Sequence, residues 1–211
     1  MVEAASLRAH AEVFVFGDLV RAQIPLSRAA HSYNDLSNIL IERVLLATAR
    51  LWDAPDDHEA NVPTVFALIK DNRTQELLVE EAGNIYRNHP PMGGSILTSF
   101  AAQNEQKSAL SLTRLKRLVP FIEASGRLDR VRNHRNKHVA HRTALTRREI
   151  KHGTPIAPPT FSDVDWLLRR TRWCVDRLNQ TIRQSGFAFS EAEDIARAQA
   201  TEFWSKFRWN H

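Results

Sequence analysis

Three histidines, four arginines and one lysine lie within thirteen consecutive positions, 130–142, of this 211-residue chain. The stretch is RVRNHRNKHVAHR. Histidine titrates near neutral pH and can carry a proton in either direction, whereas arginine presents a planar fork of donors that matches the oxygens of a phosphate. The residue types of this stretch therefore suit proton transfer beside a phosphate group.

Metal binding is a second interpretation of the same stretch. Its histidines are His134, His138 and His141. Spacings of four and three place them on one helix face, where they could share a metal ion. Arg135, Lys137 and Arg142 would repel a divalent cation, so we expect no metal and no cofactor. A third interpretation stays open, in which the histidines line a helix interface with their ring nitrogens hydrogen-bonded.

The positive charge of the chain is concentrated around this stretch. Residues 127–151 hold nine lysines and arginines against two acidic residues, a local charge of +7. The whole chain carries +5, so the remainder carries −2. A single concentrated basic patch is typical of proteins that bind polyanions, and it predicts contact with RNA or nucleotides.

Composition excludes several other classes of protein. The single cysteine, Cys174, rules out an intramolecular disulfide and a cysteine-rich metal site, which fits a reducing cytoplasm. The N-terminus lacks the basic region and continuous apolar segment of a signal peptide. The chain has no run of about 18 apolar residues, so we expect a soluble, cytoplasmic protein without membrane contact.

Scarce glycine and apolar residues at helical spacing predict an all-α fold in one domain, 1–211. The predicted helices are 3–22, one opening at Pro25, 63–70, 74–86, one ending at Gly126, 127–145, 163–184, and one after Ser190. Residues 151–160 are predicted to form a loop. Capping boxes are expected at Ser162 with Asp165 and at Ser190 with Glu193. We also expect helix 127–145 to pack antiparallel to helix 163–184.

Projection of residues 128–145 on a straight α-helix gives the relative directions of the side chains. Arg135 falls on the apolar side with Leu128 and Val131, although an arginine that only aids solubility would point away. A half-buried arginine needs an anionic partner or several acceptors. On the same projection Arg135 and His141 are about 120° apart, so one protomer does not easily bring both to one phosphate.

The segment RNKHVAH fits the Arg-Asn, four residues, His signature of the HEPN superfamily, with Arg135, Asn136 and His141 at its three positions. Upstream, ILIERVLLATARLWDAPDD followed by VPTVFALIKD resembles the abortive-infection, AbiU-like branch. The resemblance spans residues 30–185. It implies an all-α, HEPN-like helical bundle, to which the chain adds N- and C-terminal helices.

The resemblance also implies a function: a metal-independent endoribonuclease of a phage-defence or toxin–antitoxin type, with a composite site across a homodimer. An antitoxin protein is a further partner that the resemblance implies. His141 would act as base or acid, Arg135 would hold the developing charge, and Asn136 would orient a neighbour or the substrate. Further contacts to RNA are expected from Arg132, Lys137, His138 and Arg142.

Alternatives remain. The same spacing occurs one turn earlier in RNHRNKH, with Arg132, Asn133 and His138. The chain could also be a catalytically inactive HEPN module that binds RNA, nucleotide or a partner protein through the patch. A helical scaffold with an incidental basic face is the third hypothesis, and it predicts no binding of nucleic acid.

Overall fold

A computed structural model describes residues 1–24, 29–56, 58–88, 94–140 and 145–207. This part of the chain contains ten α-helices, two π-helical segments and no β-strand, which confirms the predicted all-α class. In chain order the elements are α1 Val2–Ala11, π1 Glu12–Phe16, α2 Asp18–Arg21, α3 Ala29–Arg50, α4 Val62–Ile69, α5 Asn72–Arg87, α6 Gly94–Glu123, α7 Gly126–His134, π2 Arg135–Ala140, α8 Arg147–His152, α9 Phe161–Ile182 and α10 Phe189–Lys206.

The helices form two compact units. The first comprises residues 1–51, 126–168 and 188–211, and the second comprises residues 52–125 and 169–187. Helix α9 contributes to both, with the boundary after Leu168. In the described residues no helix is long and apolar enough to cross a membrane.

In the first unit the two terminal helices pack on each other. Small buried residues, Ala9 in α1 and Ala200 in α10, let the helix backbones approach closely. The ring of Trp204 lies 4.3 Å from that of Phe14, and its Nε1 donates a hydrogen bond to His10 Nδ1 at 3.1 Å. Because α1 also packs on α3, the terminal helices are part of the core of this unit.

In the second unit α5 and α6 form an antiparallel pair. Lys116 of α6 donates to Asn72 at the start of α5, whereas Asn104 donates to the Ala82 carbonyl near its end. The Glu105 side chain packs against Gly83, where a Cβ would collide with its carboxylate. The buried Trp52 donates from Nε1 to Thr171 Oγ1 at 2.7 Å, which ties the second part of α9 to this unit.

Several predicted helix boundaries are wrong. The first predicted helix, 3–22, is interrupted by π1 and by the extended Gly17. Helix α6 ends at Glu123, and Gly126 begins α7 where we expected it to end the preceding helix. The helix after Ser190 in fact starts at Phe189, with Ala188 as N-cap and no side-chain cap, so the box of Ser190 and Glu193 does not form. The predicted proline start at Pro25 lies outside the described residues.

The capping box of α9 forms two residues earlier than predicted. The Thr160 backbone donates to Asp163 Oδ2 at 2.8 Å, and the Asp163 backbone donates to Thr160 Oγ1 at 3.2 Å. The predicted partner Asp165 instead accepts from Arg8 Nε at 2.6 Å. Serine is the better N-cap of the two, so local preference does not explain why the box forms at Thr160, whereas the contact of Asp165 with Arg8 does.

The contacts between α7 and α9 also differ from the prediction. Arg130 donates two hydrogen bonds to Asp163, at 2.6 and 2.9 Å, and the Arg127 guanidinium lies 5.3 Å from the Trp166 ring centroid. These contacts join the N-terminal ends of both helices, which an antiparallel pair would keep apart. The predicted antiparallel packing of 127–145 on 163–184 is therefore wrong.

Asp163→Asn is expected to lower the free energy of unfolding at pH 7 by about 2 kcal/mol, or Tm by about 4–8 °C. The forked contact from Arg130 is the main reason that the pKa of the buried Asp163 falls from 3.8 to about 2. Because the pKa is lowered on folding, this stability is present above pH 4 and disappears as the pH falls through 2. Urea unfolding at pH 7 and pH 3 measures both effects.

The matched control is Asp194→Asn, which removes a carboxylate that is 75% exposed and forms only a surface pair with Arg197. It should change stability by less than about 0.5 kcal/mol at either pH. Equal stability differences between Asp163→Asn and the wild type at pH 7 and pH 3 would contradict the assignment.

Candidate functional site

The motif segment is not one straight α-helix. Helix α7 ends at His134, and Arg135–Ala140 forms π2, in which hydrogen bonds join residues five apart. Short π-helical segments often occur at functional sites. The predicted helix to Leu145 is wrong, since Leu145 lies in a bend, and the projected angle of about 120° between Arg135 and His141 does not apply beyond His134.

Residues 151–160 are not entirely loop either. Helix α8 spans Arg147–His152 and ends at Gly153, whose φ of 68° is a left-handed conformation that favours glycine. Thr146 caps α8 by accepting from the Glu149 backbone, while the Glu149 side chain accepts from the Thr146 backbone. Thr-x-x-Glu is the sequence signature of this box, and it could have predicted α8.

A buried polar network joins α7, π2 and α8. Thr146 Oγ1 donates to Asn133 Oδ1 at 2.5 Å, and Asn133 Nδ2 donates to Glu149 Oε1 at 3.1 Å. The Ile156 backbone donates to the same Glu149 oxygen at 3.0 Å, and Lys137 Nζ lies 3.4 Å from it. The network therefore fixes the motif segment to the connection that follows it.

Glu149 is charged at neutral pH although its side chain is fully buried. Hydrogen bonds from the Thr146 and Ile156 backbone are the main cause that lowers its pKa to about 2, and Asn133 and Lys137 contribute further. A buried carboxylate is stable only with such partners. The charge of Lys137, a predicted RNA contact, is thus compensated within the protein.

Beside this network lies a cavity of about 780 Å³. Its walls are formed by Asp129, Arg132, Asn133, Asn136, Leu145, Thr146, Arg147 and Arg148. Two predicted site residues, Arg132 and Asn136, meet here. The walls carry three arginines against one aspartate, Asp129, which pairs with Arg148 at 2.5 Å. The net charge of the walls is therefore positive.

Arg135 does not line this cavity but touches a residue that does. Its side chain is half-buried, and its Nε donates to Asn136 Oδ1 at 3.1 Å. Since π2 packs on α3, the half-burial agrees with the projection of Arg135 towards a neighbouring helix. An asparagine that accepts from an arginine fixes the direction of the guanidinium plane.

The remaining predicted residues are not fully described. His141 and Arg142 lie outside the described residues, as does the side chain of His138. Within the described part of the chain, no three histidine, cysteine, aspartate or glutamate side chains are placed to hold a metal ion.

Two residues of the site were not predicted. Arg147 lies on the cavity wall and is exposed, and Glu149 organises the buried network. From the sequence we include Arg147 only in the basic patch. Because no helix is predicted at Arg147, the direction of its side chain cannot be projected. In the charge pattern Glu149 is only one of two acidic residues within the basic patch. The Thr-x-x-Glu capping signature places it in the first turn of a helix, and this signal could have identified it.

Comparison with known proteins gives one match. The family model HEPN AbiU2, described as AbiU2, matches residues 2–203. This range extends beyond the resemblance at 30–185 and includes α1 and most of α10. No curated protein and no solved structure matches the chain.

Proposed function

We propose that this chain, which belongs to the AbiU2 family of HEPN domains, is a metal-independent endoribonuclease that acts in phage defence or as a toxin. The family suggests an abortive-infection, ribonuclease-like function. The observation that carries the finer proposal is the cationic cavity lined by Asn136, with Arg135 held against that asparagine.

The cavity suits a nucleotide of an RNA chain. Its volume of about 780 Å³ lies within the ordinary range of small-ligand sites. Arg132 and Arg147 on the cavity wall provide donors for phosphate oxygens. We propose that Arg132, His138 and Arg142 bind the substrate, with Arg147 as an additional contact. Lys137 would contribute through long-range charge, since Glu149 holds its ammonium group.

The proposed reaction uses the nucleophile that RNA itself supplies. A base removes the proton of the 2′-hydroxyl, the oxygen attacks the adjacent phosphorus, and the bond to the 5′-oxygen breaks as that oxygen takes up a proton. The products are a 2′,3′-cyclic phosphate and a 5′-hydroxyl. His141 would carry the proton, and Arg135 would bind the non-bridging oxygens more strongly as their charge grows.

The two candidate registers differ in what their asparagines can do. Asn133 uses its carbonyl for Thr146 and its amino group for Glu149, both within the buried network. Asn136 lines the same cavity as Asn133, but its carbonyl accepts from Arg135. This difference supports the register with Arg135, Asn136 and His141.

We also propose that the active form is a homodimer whose motif segments meet near the two-fold axis. A two-fold axis brings a second copy of each group to the same place, so Arg135 of one protomer can reach the phosphate served by His141 of the other. An antitoxin protein is a further proposed partner, and the proposed location is the cytoplasm.

Incubation of the purified protein with mixed-sequence RNA in the presence of a chelator tests the proposal. RNA should be cut to fragments ending in a 2′,3′-cyclic phosphate, visible by mass spectrometry. DNA of the same sequence should stay intact because it lacks the attacking hydroxyl.

Failure to cut any RNA, with salt-dependent RNA binding retained, would overturn the ribonuclease and favour the inactive binding module. Absence of binding as well would favour the scaffold hypothesis. Cleavage only after addition of a divalent cation would contradict the metal-independent mechanism.

A further inference from the structure

A second cationic surface lies in the second unit, on α6 and α9. It is an open groove of about 570 Å³, lined by Arg114, Arg117, Leu118, Phe121, Arg170 and Trp173. We propose that this groove binds a segment of single-stranded RNA, with phosphates on the arginines and a base on the aromatic rings. The identity of the strand as RNA rests on the proposed function.

Helical spacing explains why these side chains meet. On α6 the arginines, the leucine and the phenylalanine follow at intervals of three, four and seven from Arg114, which is one helix face. On α9 Arg170 and Trp173 are three residues apart, again on one face. The groove is thus a product of two regular helices, so its shape does not depend on a loop.

The charge of the groove favours an anion. Three guanidinium groups line it and no carboxylate does. Arg114 and Arg117 are exposed, and neither forms an ion pair within the described part of the chain. The Arg177 guanidinium lies 5.4 Å from the Trp173 ring centroid and adds a fourth positive charge nearby. Like charges that line one groove repel one another, and bound phosphates would relieve that repulsion.

The aromatic rings distinguish a nucleic-acid strand from other anions. Phe121 is 59% exposed, and Trp173 shares the same groove. Ring faces next to arginines are the arrangement by which proteins hold single strands without reading their sequence. An open groove covers little of a free nucleotide, whereas a strand gains from several contacts at once.

The test is fluorescence anisotropy with a short, labelled single strand carrying 2′-O-methyl groups, which the protein cannot cut. Arg114→Ala with Arg117→Ala should weaken binding by roughly 25-fold at about 0.1 M salt. Each phosphate contact adds about 0.7 to the slope of log K against log salt, so loss of two contacts removes about 1.4. Because 0.1 M lies one decade below the 1 M reference, the binding constant falls by about 1.4 in log K, or roughly 25-fold. The slope itself should fall by about 1.4. Phe121→Leu, which keeps the apolar volume but removes the ring, should weaken binding by about fivefold or more.

The matched control is Arg197→Ala with Lys206→Ala, which removes the same charge from α10, where both cations pair with carboxylates. An equal loss of affinity and of salt slope in both double variants would contradict RNA binding in the groove. Unchanged binding by Phe121→Leu would contradict it too. So would polyglutamate that competes with the labelled strand as well as unlabelled RNA does. Because the probe cannot be cut, the result is independent of catalysis: binding at the groove by a protein that cuts no RNA would retain this inference while the proposed function fails.

Discussion

His141→Ala is expected to lower the rate of RNA cleavage by about 10²- to 10⁴-fold. The substitution removes the proposed proton carrier but almost no charge at neutral pH, so RNA affinity should stay within about twofold of the wild type. Single-turnover cleavage with excess protein measures the rate, and anisotropy with an uncleavable strand measures the affinity. A loss of both would point to disturbed folding, which circular dichroism would reveal.

The control for His141→Ala is His58→Ala, an exposed histidine of the second unit that should behave as the wild type. A further variant distinguishes the two registers. If His138→Ala is inactive while His141→Ala remains active, the earlier register is correct, and Arg132 takes the role proposed for Arg135.

Arg135→Ala is expected to lose both cleavage, by about 10²- to 10³-fold, and much of the RNA affinity. The guanidinium binds the phosphate in the ground state and binds it more strongly as charge develops on its oxygens. Arg135→Lys should restore binding but little of the rate. An ammonium group has no fork of donors, and lysine has no counterpart of the Nε that donates to Asn136.

Mixing the two inactive variants tests whether Arg135 and His141 act across a dimer. A mixed dimer of Arg135→Ala and His141→Ala retains one site with an intact arginine from one protomer and an intact histidine from the other. Random exchange should therefore restore about one quarter of the wild-type rate, since half of the dimers are mixed and each has one intact site of two. No recovery after confirmed subunit exchange would contradict a site shared in this way.

The fold class was predictable because apolar spacing reports helical period over many residues. Helices α4 and α5 lie within two residues of their predicted bounds. Boundaries failed where two local signals competed, as at Thr160 and Ser162, each of which has an acidic residue three positions later. The contact between Asp165 and Arg8, which are 157 residues apart in the chain, decides between them, and no local pattern contains it.

The candidate site was predictable in its residue types but not in its geometry. The sequence indicates Arg135 and Asn136 by type and spacing, and the structure brings them into contact. The projection assumes one straight α-helix, so it could not show that the helix widens into a π-helix at Arg135. Charge counting alone also cannot distinguish the buried Glu149 from a solvated acidic residue.

Counting charge along the sequence also fails to predict the second cationic surface. Outside 127–151 the chain carries −2, and that sum includes many acids far from α6 and α9. Arg114 and Arg117 on one helix face the same groove as Arg170 on another. Net charge over a segment describes the segment as a whole, whereas a binding surface is made from residues distant in sequence.

In the π-helical segment Arg135–Ala140, the number of residues matters as well as their types. A π-turn accommodates one residue more than an α-turn, so loss of a single residue here would let the segment close as an ordinary α-helix. Residues outside the segment would keep nearly the same directions, because the wider turn absorbs the extra residue, but the side chains within the segment would take new directions. A deletion in this short segment is therefore expected to change the directions of the Arg135 and Asn136 side chains while the flanking helix keeps its place.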